Sequence, residues 1–148
     1  MDLFGIFDIS TAGMSVEQAR LAAAAANLAN ARTTRTADGT PYQPLAVVVR
    51  STLGAHATYA AAESSLRADA LPRPTVQTVE QLQAAPRLVY DPGHPDADER
   101  GFVALPAVDT LSTMMDLVAV SRGYEANLRA FDLTRQLIER TLEMGSRR

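Results

Sequence analysis

The chain has 148 residues, 14 basic and 17 acidic, for a formal net charge of −3; this is one domain's worth of chain with no footprint for nucleic acid. All 14 basic residues are arginine, which excludes Schiff-base lysine chemistry and a phosphate-loop lysine. Cysteine is absent, so disulfides and thiolate metal sites are excluded as well.

The first ten residues, MDLFGIFDIS, are acidic and apolar, and the first arginine is Arg20, so no cleavable signal peptide is expected. The longest apolar run, Leu21 to Ala26, is far short of the roughly 20 residues that a membrane span needs. From Asp2 to Asn30 a seven-residue pattern puts Phe7, Met14, Leu21 and Leu28 at one seam position and Phe4, Thr11, Gln18 and Ala25 at the other. Gly5, Ala12, Ala19 and Ala26 line the back. The pattern predicts a helix, strongest through Ala22 to Ala26 and weakest at Gly13, where glycine costs about 1 kcal/mol against alanine. Gly13 is either a tolerated interior glycine or a site of close helix approach. Asparagines and threonines from Asn27 to Thr34 favour helix ends and turns, which places the helix exit near Asn30.

The middle of the chain, Thr33 to Pro106, changes character. Asp38-Gly39 is a turn signal. Leu45 to Arg50, Val76 to Val79 and Arg87 to Tyr90 have strand composition, with a short fourth strand expected within Gly101 to Leu105. His56 to Leu71 is alanine-rich and fits a short helix or a loop, broken by Pro72 and Pro74. A β unit of three or four strands is too small to cover both faces of both terminal helices.

Ala107 to Met144 contains no proline and a single glycine, Gly123; its 38 residues predict a helix of roughly 57 Å. One heptad position holds Leu117, Tyr124, Phe131 and Ile138; the other holds Met114, Ser121, Leu128, Arg135 and Leu142. Such a seam asks for a partner helix. The opposite side carries Met115, Ala119, Gly123, Ala126, Ala130, Leu133 and Leu137, where a helix backed by water would carry charge. Arg122, Glu125 and Arg129 have ion-pair spacing, worth a few tenths of a kcal/mol for each pair on a solvated face.

The residues that could suggest chemistry collect between Tyr90 and Gly101. As a calcium loop starting at Asp96 the stretch fails, because Arg100 falls at the fifth position and Ala107 at the twelfth. His94 is one of only two histidines in the chain and sits between prolines. No nucleophile elbow, phosphate loop or dinucleotide fingerprint is present. The expectation is a structured surface loop, with no catalytic residue, metal or cofactor; an enzyme using His94 and Asp96 is a distant reading.

Several of these stretches resemble one family. Asn27-Leu28-Ala29-Asn30 followed by Thr33 resembles the end of the first helix of the rod and hook family of bacterial flagellar axial proteins. Ser121-Arg122-Gly123-Tyr124-Glu125-Ala126-Asn127 and Thr141-Leu142-Glu143-Met144-Gly145 resemble that family's C-terminal helix. The loop Tyr90-Asp91-Pro92-Gly93-His94-Pro95-Asp96-Ala97-Asp98, then Gly101-Phe102-Val103 and Pro106-Ala107-Val108-Asp109, is similar to the short proximal-rod members. The likeness covers roughly residues 2 to 50 and 74 to 145; Arg32, Asp98, Phe102 and Ala107 depart from the residues usual there.

The resemblance implies a structural subunit of the flagellar basal-body rod, exported by the flagellar type III apparatus without a cleaved signal peptide and assembled with copies of itself and other rod subunits. The expected fold is mainly α with a small inserted β unit: residues 1–32 and 107–148 as terminal helices paired like a coiled-coil hairpin, residues 33–106 inserted between them. The expected packing sets Phe4, Phe7, Met14, Leu21 and Leu28 against Met114, Leu117, Tyr124, Leu128, Phe131, Ile138 and Leu142, with the small-residue backs packed on neighbouring subunits and the termini poorly ordered before assembly. The rival reading is a non-catalytic coiled-coil adaptor that forms a closed dimer through the same stripes.

Overall fold

The computed structural model describes residues 3–52 and 73–146; the stretch His56 to Leu71 therefore lies outside the described residues, as does the Phe4 side chain. Helix α1 spans Leu3–Ala29 and helix α2 spans Thr110–Ser146, with strands β1 (Leu45–Thr52), β2 (Arg73–Gln81), β3 (Arg87–Tyr90) and β4 (Phe102–Leu105) between them in sequence. The fold is thus mainly helical with a small β insert. The strands form two separate two-stranded sheets, β1 with β2 and β3 with β4.

Local chemistry sets the helix ends. The Asn30 amide bonds the Ala26 carbonyl at 3.0 Å, and the Asn30 side chain donates Nδ2–H to that same carbonyl at 2.9 Å. Ala31 N–H tightens onto Leu28 O at 3.3 Å, the short closing turn typical of a helix C-terminus. At the other helix, the Asp109 carboxylate accepts the Leu111 N–H at 3.1 Å and the Asp109 carbonyl accepts the Thr113 N–H at 2.9 Å. That is an N-cap, and it starts α2 at Thr110, three residues later than the expected Ala107. Gly39, at φ 77°, supplies the turn in which Gly39 N–H bonds Thr36 O and Thr36 N–H bonds Thr40 O, both at 2.9 Å.

The described chain falls into two compact units, each built from parts of both helices. Among the described residues, unit 1 takes in 3–19, 49–52, 73–77 and 120–146, and unit 2 comprises Arg20–Val48 and Thr78–Ala119. Among the described residues of unit 1 the buried positions are Ser10, Val16 and Thr134, and Thr134 satisfies its hydroxyl on the Ala130 carbonyl at 2.9 Å. In unit 2 the buried positions include Ala23, Ala31, Val103, Pro106 and Val108. There β3 and β4 pair antiparallel with Val89 opposite Val103 and Tyr90 opposite Phe102. Alternation along the strands buries Val103 and turns Leu88, Tyr90 and Phe102 outward.

Candidate functional site

Two constructions hold the residues singled out by the sequence. The first is the helix crossing of unit 1. Phe7 meets Phe131 edge to face, with ring centroids 4.7 Å apart and planes at 68°, an arrangement favoured by the ring quadrupoles. A Cβ placed on Gly13 would lie 2.9 Å from the Asn127 side-chain amide, and one on Gly123 would lie 3.3 Å from the Glu17 carboxyl carbon. Residue numbers rise along α1 as they fall along α2, so in this unit the helices cross antiparallel. Gly13 is therefore a site of close approach, the sharper of its two readings.

Phe7 and Phe131 both belong to the expected seam, and small and polar residues share the crossing with them. Thr11 and Gln18, assigned to the α1 seam, are exposed, whereas Ser10, Gly13 and Val16 face inward. On α2 the inward set is Gly123, Asn127, Phe131, Thr134 and Ile138, so Gly123 belongs to the inner face and not to the back. Of the two expected α2 heptad positions, Leu117, Phe131 and Ile138 are half-buried; Met114, Ser121, Tyr124, Leu128, Arg135 and Leu142 are exposed. On α1, Phe7, Met14 and Leu28 are half-buried, and Leu21 and Ala25 are exposed. The cause is geometric. A straight helix drifts about 20° per heptad against a strict seven-residue repeat, and the tightest approach goes to the smallest side chains, which a count of large apolar residues passes over.

The second construction is the polar tie of unit 2. Asn27 leaves α1 with its amide set like a strand partner for β1: Nδ2–H donates to Leu45 O at 2.9 Å and Oδ1 accepts the Leu45 N–H at 2.7 Å. The same Oδ1 accepts the Tyr42 hydroxyl at 2.9 Å. Burial pushes the Tyr42 phenol above its ordinary 10.0, because the phenolate would lose solvation. Thr33 donates its hydroxyl to Asn30 Oδ1 at 3.1 Å and its carbonyl accepts the Tyr42 N–H at 3.2 Å. Thr34 then donates to Asp96 Oδ2 at 2.7 Å, with the Arg35 guanidinium 3.8 Å from Asp96 Oδ1.

Asp96 belongs to the loop joining β3 to β4, and that loop bonds to itself throughout. Asp98 Oδ1 accepts the Arg100 and Phe102 N–H groups at 2.9 and 2.8 Å. Asp91 N–H bonds Gly101 O at 2.9 Å and His94 N–H bonds Asp91 O at 3.2 Å. His94 Nδ1 accepts the Asp96 N–H at 3.1 Å, so the histidine is a turn acceptor here. Gly101 sits at φ 81°, and a Cβ there would lie 2.9 Å from the Tyr90 ring and 3.2 Å from Pro92. Tyr90 and Phe102 stack edge to face at 5.4 Å, and Pro106, just after β4, is fully buried. Pro95 is exposed and flanks the Asp96 turn.

The motif residues thus separate by place. Asn27, Asn30, Thr33, Tyr90, Pro92, His94, Pro95, Asp96, Gly101 and Pro106 come together in unit 2; Tyr124, Glu125 and Asn127 lie on α2 in unit 1. Of these last three only Asn127 faces inward, while Glu125 pairs with Arg129 at 3.7 Å on the outer surface. Sequence reasoning missed Tyr42 and Glu17, neither of which carries a periodic or motif signal. Among the described residues no group of three His, Asp or Glu side chains is placed to hold a metal, and no helix is long and apolar enough to cross a membrane.

What the arrangement leaves outside is apolar. Leu111, Met114, Met115, Val118, Tyr124, Leu128, Leu133, Leu137, Leu142 and Met144 are all exposed on α2, far beyond the scattered apolar residues of an ordinary surface.

Residues 99–144 match the family described as flagellar basal body rod FlgEFG protein C-terminal. A "Flagellar basal-body rod protein FlgC" of Aquifex aeolicus is 37% identical over 145 residues, covering 97% of this chain and 97% of its own length. Proteins of the same name from Escherichia coli and Bacillus subtilis are 34% and 31% identical, each over 98% of this chain and 99% of their own.

Proposed function

The chain belongs to the FlgC family of flagellar basal-body rod proteins, and from that premise we propose how it serves as a structural subunit of the rod. It polymerises through its terminal helices, with residues 1–32 and 107–148 forming the helical part and 33–106 the insert, and it performs no catalysis. Its partners are copies of itself and other rod subunits, in the proximal part of the rod that crosses the periplasm. It reaches that place through the flagellar type III export apparatus with its N-terminus uncleaved.

The observation that carries this reading is the row of large apolar side chains exposed along α2. Fully burying one such side chain stabilises by about 1.5–3 kcal/mol, so a few per subunit suffice for a stiff joint. Head-to-tail contacts that do not close give a helical tube instead of a ring. Before assembly these faces lack partners, so the terminal helices gain order on incorporation.

The test is Tyr124→Asp or Leu128→Asp. Each places a charge on an exposed apolar position, so expression and the fold of unit 2 are kept while incorporation into basal bodies and motility are lost. Normal motility in both variants would overturn the packing model. A closed dimer in place of a polymer would appear as a fixed mass of two chains at every concentration.

A further inference from the structure

We propose that Met114 and Met115 form an oxidation site: in the free chain hydrogen peroxide converts their thioethers to sulfoxides, and the oxidised chain is withheld from assembly until it is reduced. The consequence for assembly rests on the rod-subunit reading; the chemistry at the two sulfurs does not.

The sequence narrows the oxidisable groups. Cysteine and tryptophan are both absent, and five methionines remain. Met1 lies outside the described residues, and Met14 is half-buried. Met114, Met115 and Met144 are 51, 65 and 67% exposed, so a small peroxide reaches them directly from water. Met144 is flanked by Glu143 and has Arg140 one turn back. Met114 and Met115 sit instead in the second turn of α2 beside Leu111 and Val118, which are 67 and 53% exposed. Spacings of three and four put these four side chains on one side of the helix. The only charge from Thr110 to Ser121 is Asp116. An added oxygen therefore changes the character of that surface most at the methionine pair.

The step balances with the peroxide alone. A sulfur lone pair attacks one peroxide oxygen, an S–O bond forms and the O–O bond breaks, and the second oxygen leaves as water after proton transfer. Sulfur is oxidised by two electrons and the peroxide is reduced by two. Reduction by a dithiol-dependent methionine sulfoxide reductase returns the two electrons and releases the oxygen as water. A thioether is a weak acceptor that loses little when covered. A sulfoxide oxygen is a strong acceptor and must keep a hydrogen-bond partner or be buried without one. Oxidation thus turns an apolar face that tolerates being covered into one that resists it.

Three tryptic peptides separate the methionines: residues 1–20, 101–122 and 141–147, each ending at an arginine. The purified full chain is treated with hydrogen peroxide in a time course and mapped by mass spectrometry. The expected result is one and then two added oxygens on the 101–122 peptide while Met14, located by fragmentation of the 1–20 peptide, stays unoxidised. Oxidation of Met14 as fast as Met114 and Met115 would overturn the site and leave the rod reading intact. In flagellated cells lacking the native chain, wild type or the Met114→Leu, Met115→Leu double variant is then induced with and without sublethal hydrogen peroxide. Peroxide should lower incorporation of the wild type into basal bodies and spare the double variant. Equal loss in both, or no loss in the wild type, would overturn the proposal. Met115→Gln, which carries a polar amide without any oxidant, should incorporate poorly in untreated cells; normal incorporation would overturn the assembly consequence. Absence of the untreated wild-type chain from basal bodies would instead remove the rod reading, and that consequence with it.

Discussion

Asn27 makes three hydrogen bonds with one side chain. Its amide satisfies both backbone groups of Leu45 and the hydroxyl of Tyr42. Removing a partner from a buried polar group costs about 1–3 kcal/mol, and these groups are part-buried, so Asn27→Ala should destabilise the chain by about 1–2 kcal/mol, read as a lowered urea midpoint. Asn27→Asp keeps the acceptor and should fall between. Tyr42 adds a pH dependence of definite sign. Its folded value is raised, so the stability gained by keeping the phenol protonated is fully present below about pH 10 and is lost as the pH rises through the raised value. Tyr42→Phe should flatten that alkaline limb in a denaturation series. Gly101→Ala should cost about 1–3 kcal/mol, because alanine is strained at a left-handed φ and its methyl meets Tyr90. At this scale the sequence shows that Asn27 and Asn30 end a helix, since asparagine chemistry is local. It does not show that Asn27 reaches Leu45, 18 residues away, or that Thr34 reaches Asp96, 62 residues away, because such bonds depend on where the fold brings the chain back.

The helices teach a different lesson. Their existence and extent were legible in the absence of proline and the seven-residue repeat, and Asp109 refined the start of α2 through its cap. Their inner faces were legible only in part from apolar periodicity, which finds Phe7 and Phe131 but not Ser10, Gly13, Gly123 and Asn127. Small and polar residues carry no hydrophobic signal, yet they decide how near two backbones come. A double-mutant cycle tests this at the element scale. Gly13→Ala brings a methyl to 2.9 Å from the Asn127 amide, so that side chain must swing aside and the substitution should yield less than the gain of about 1 kcal/mol that alanine has over glycine in a helix. Asn127→Ala should relieve the clash, giving a coupling of about 1 kcal/mol between two residues in contact. Additive effects would show that the two helices do not meet at this point.

At the scale of the molecule, the apolar surface is in the wrong place for a chain that lives alone. Among the described residues only Val16, Ala23, Ala31, Val103 and Val108 are buried apolar side chains apart from proline, while α2 alone exposes ten large ones. The sequence pointed to this imbalance, since a β insert of four short strands was too small to cover both helices. Circular dichroism should accordingly show less helix in dilute free chain than in assembled rods, and equal helix in both would contradict ordering on assembly. The most direct measurement of the central claim uses single cysteines at exposed apolar positions of α2, Leu128→Cys and Leu137→Cys, reacted with a water-soluble maleimide. The account predicts rapid labelling in the free chain and strong protection in isolated basal bodies. Equal labelling in the two would mean that assembly leaves those faces in water.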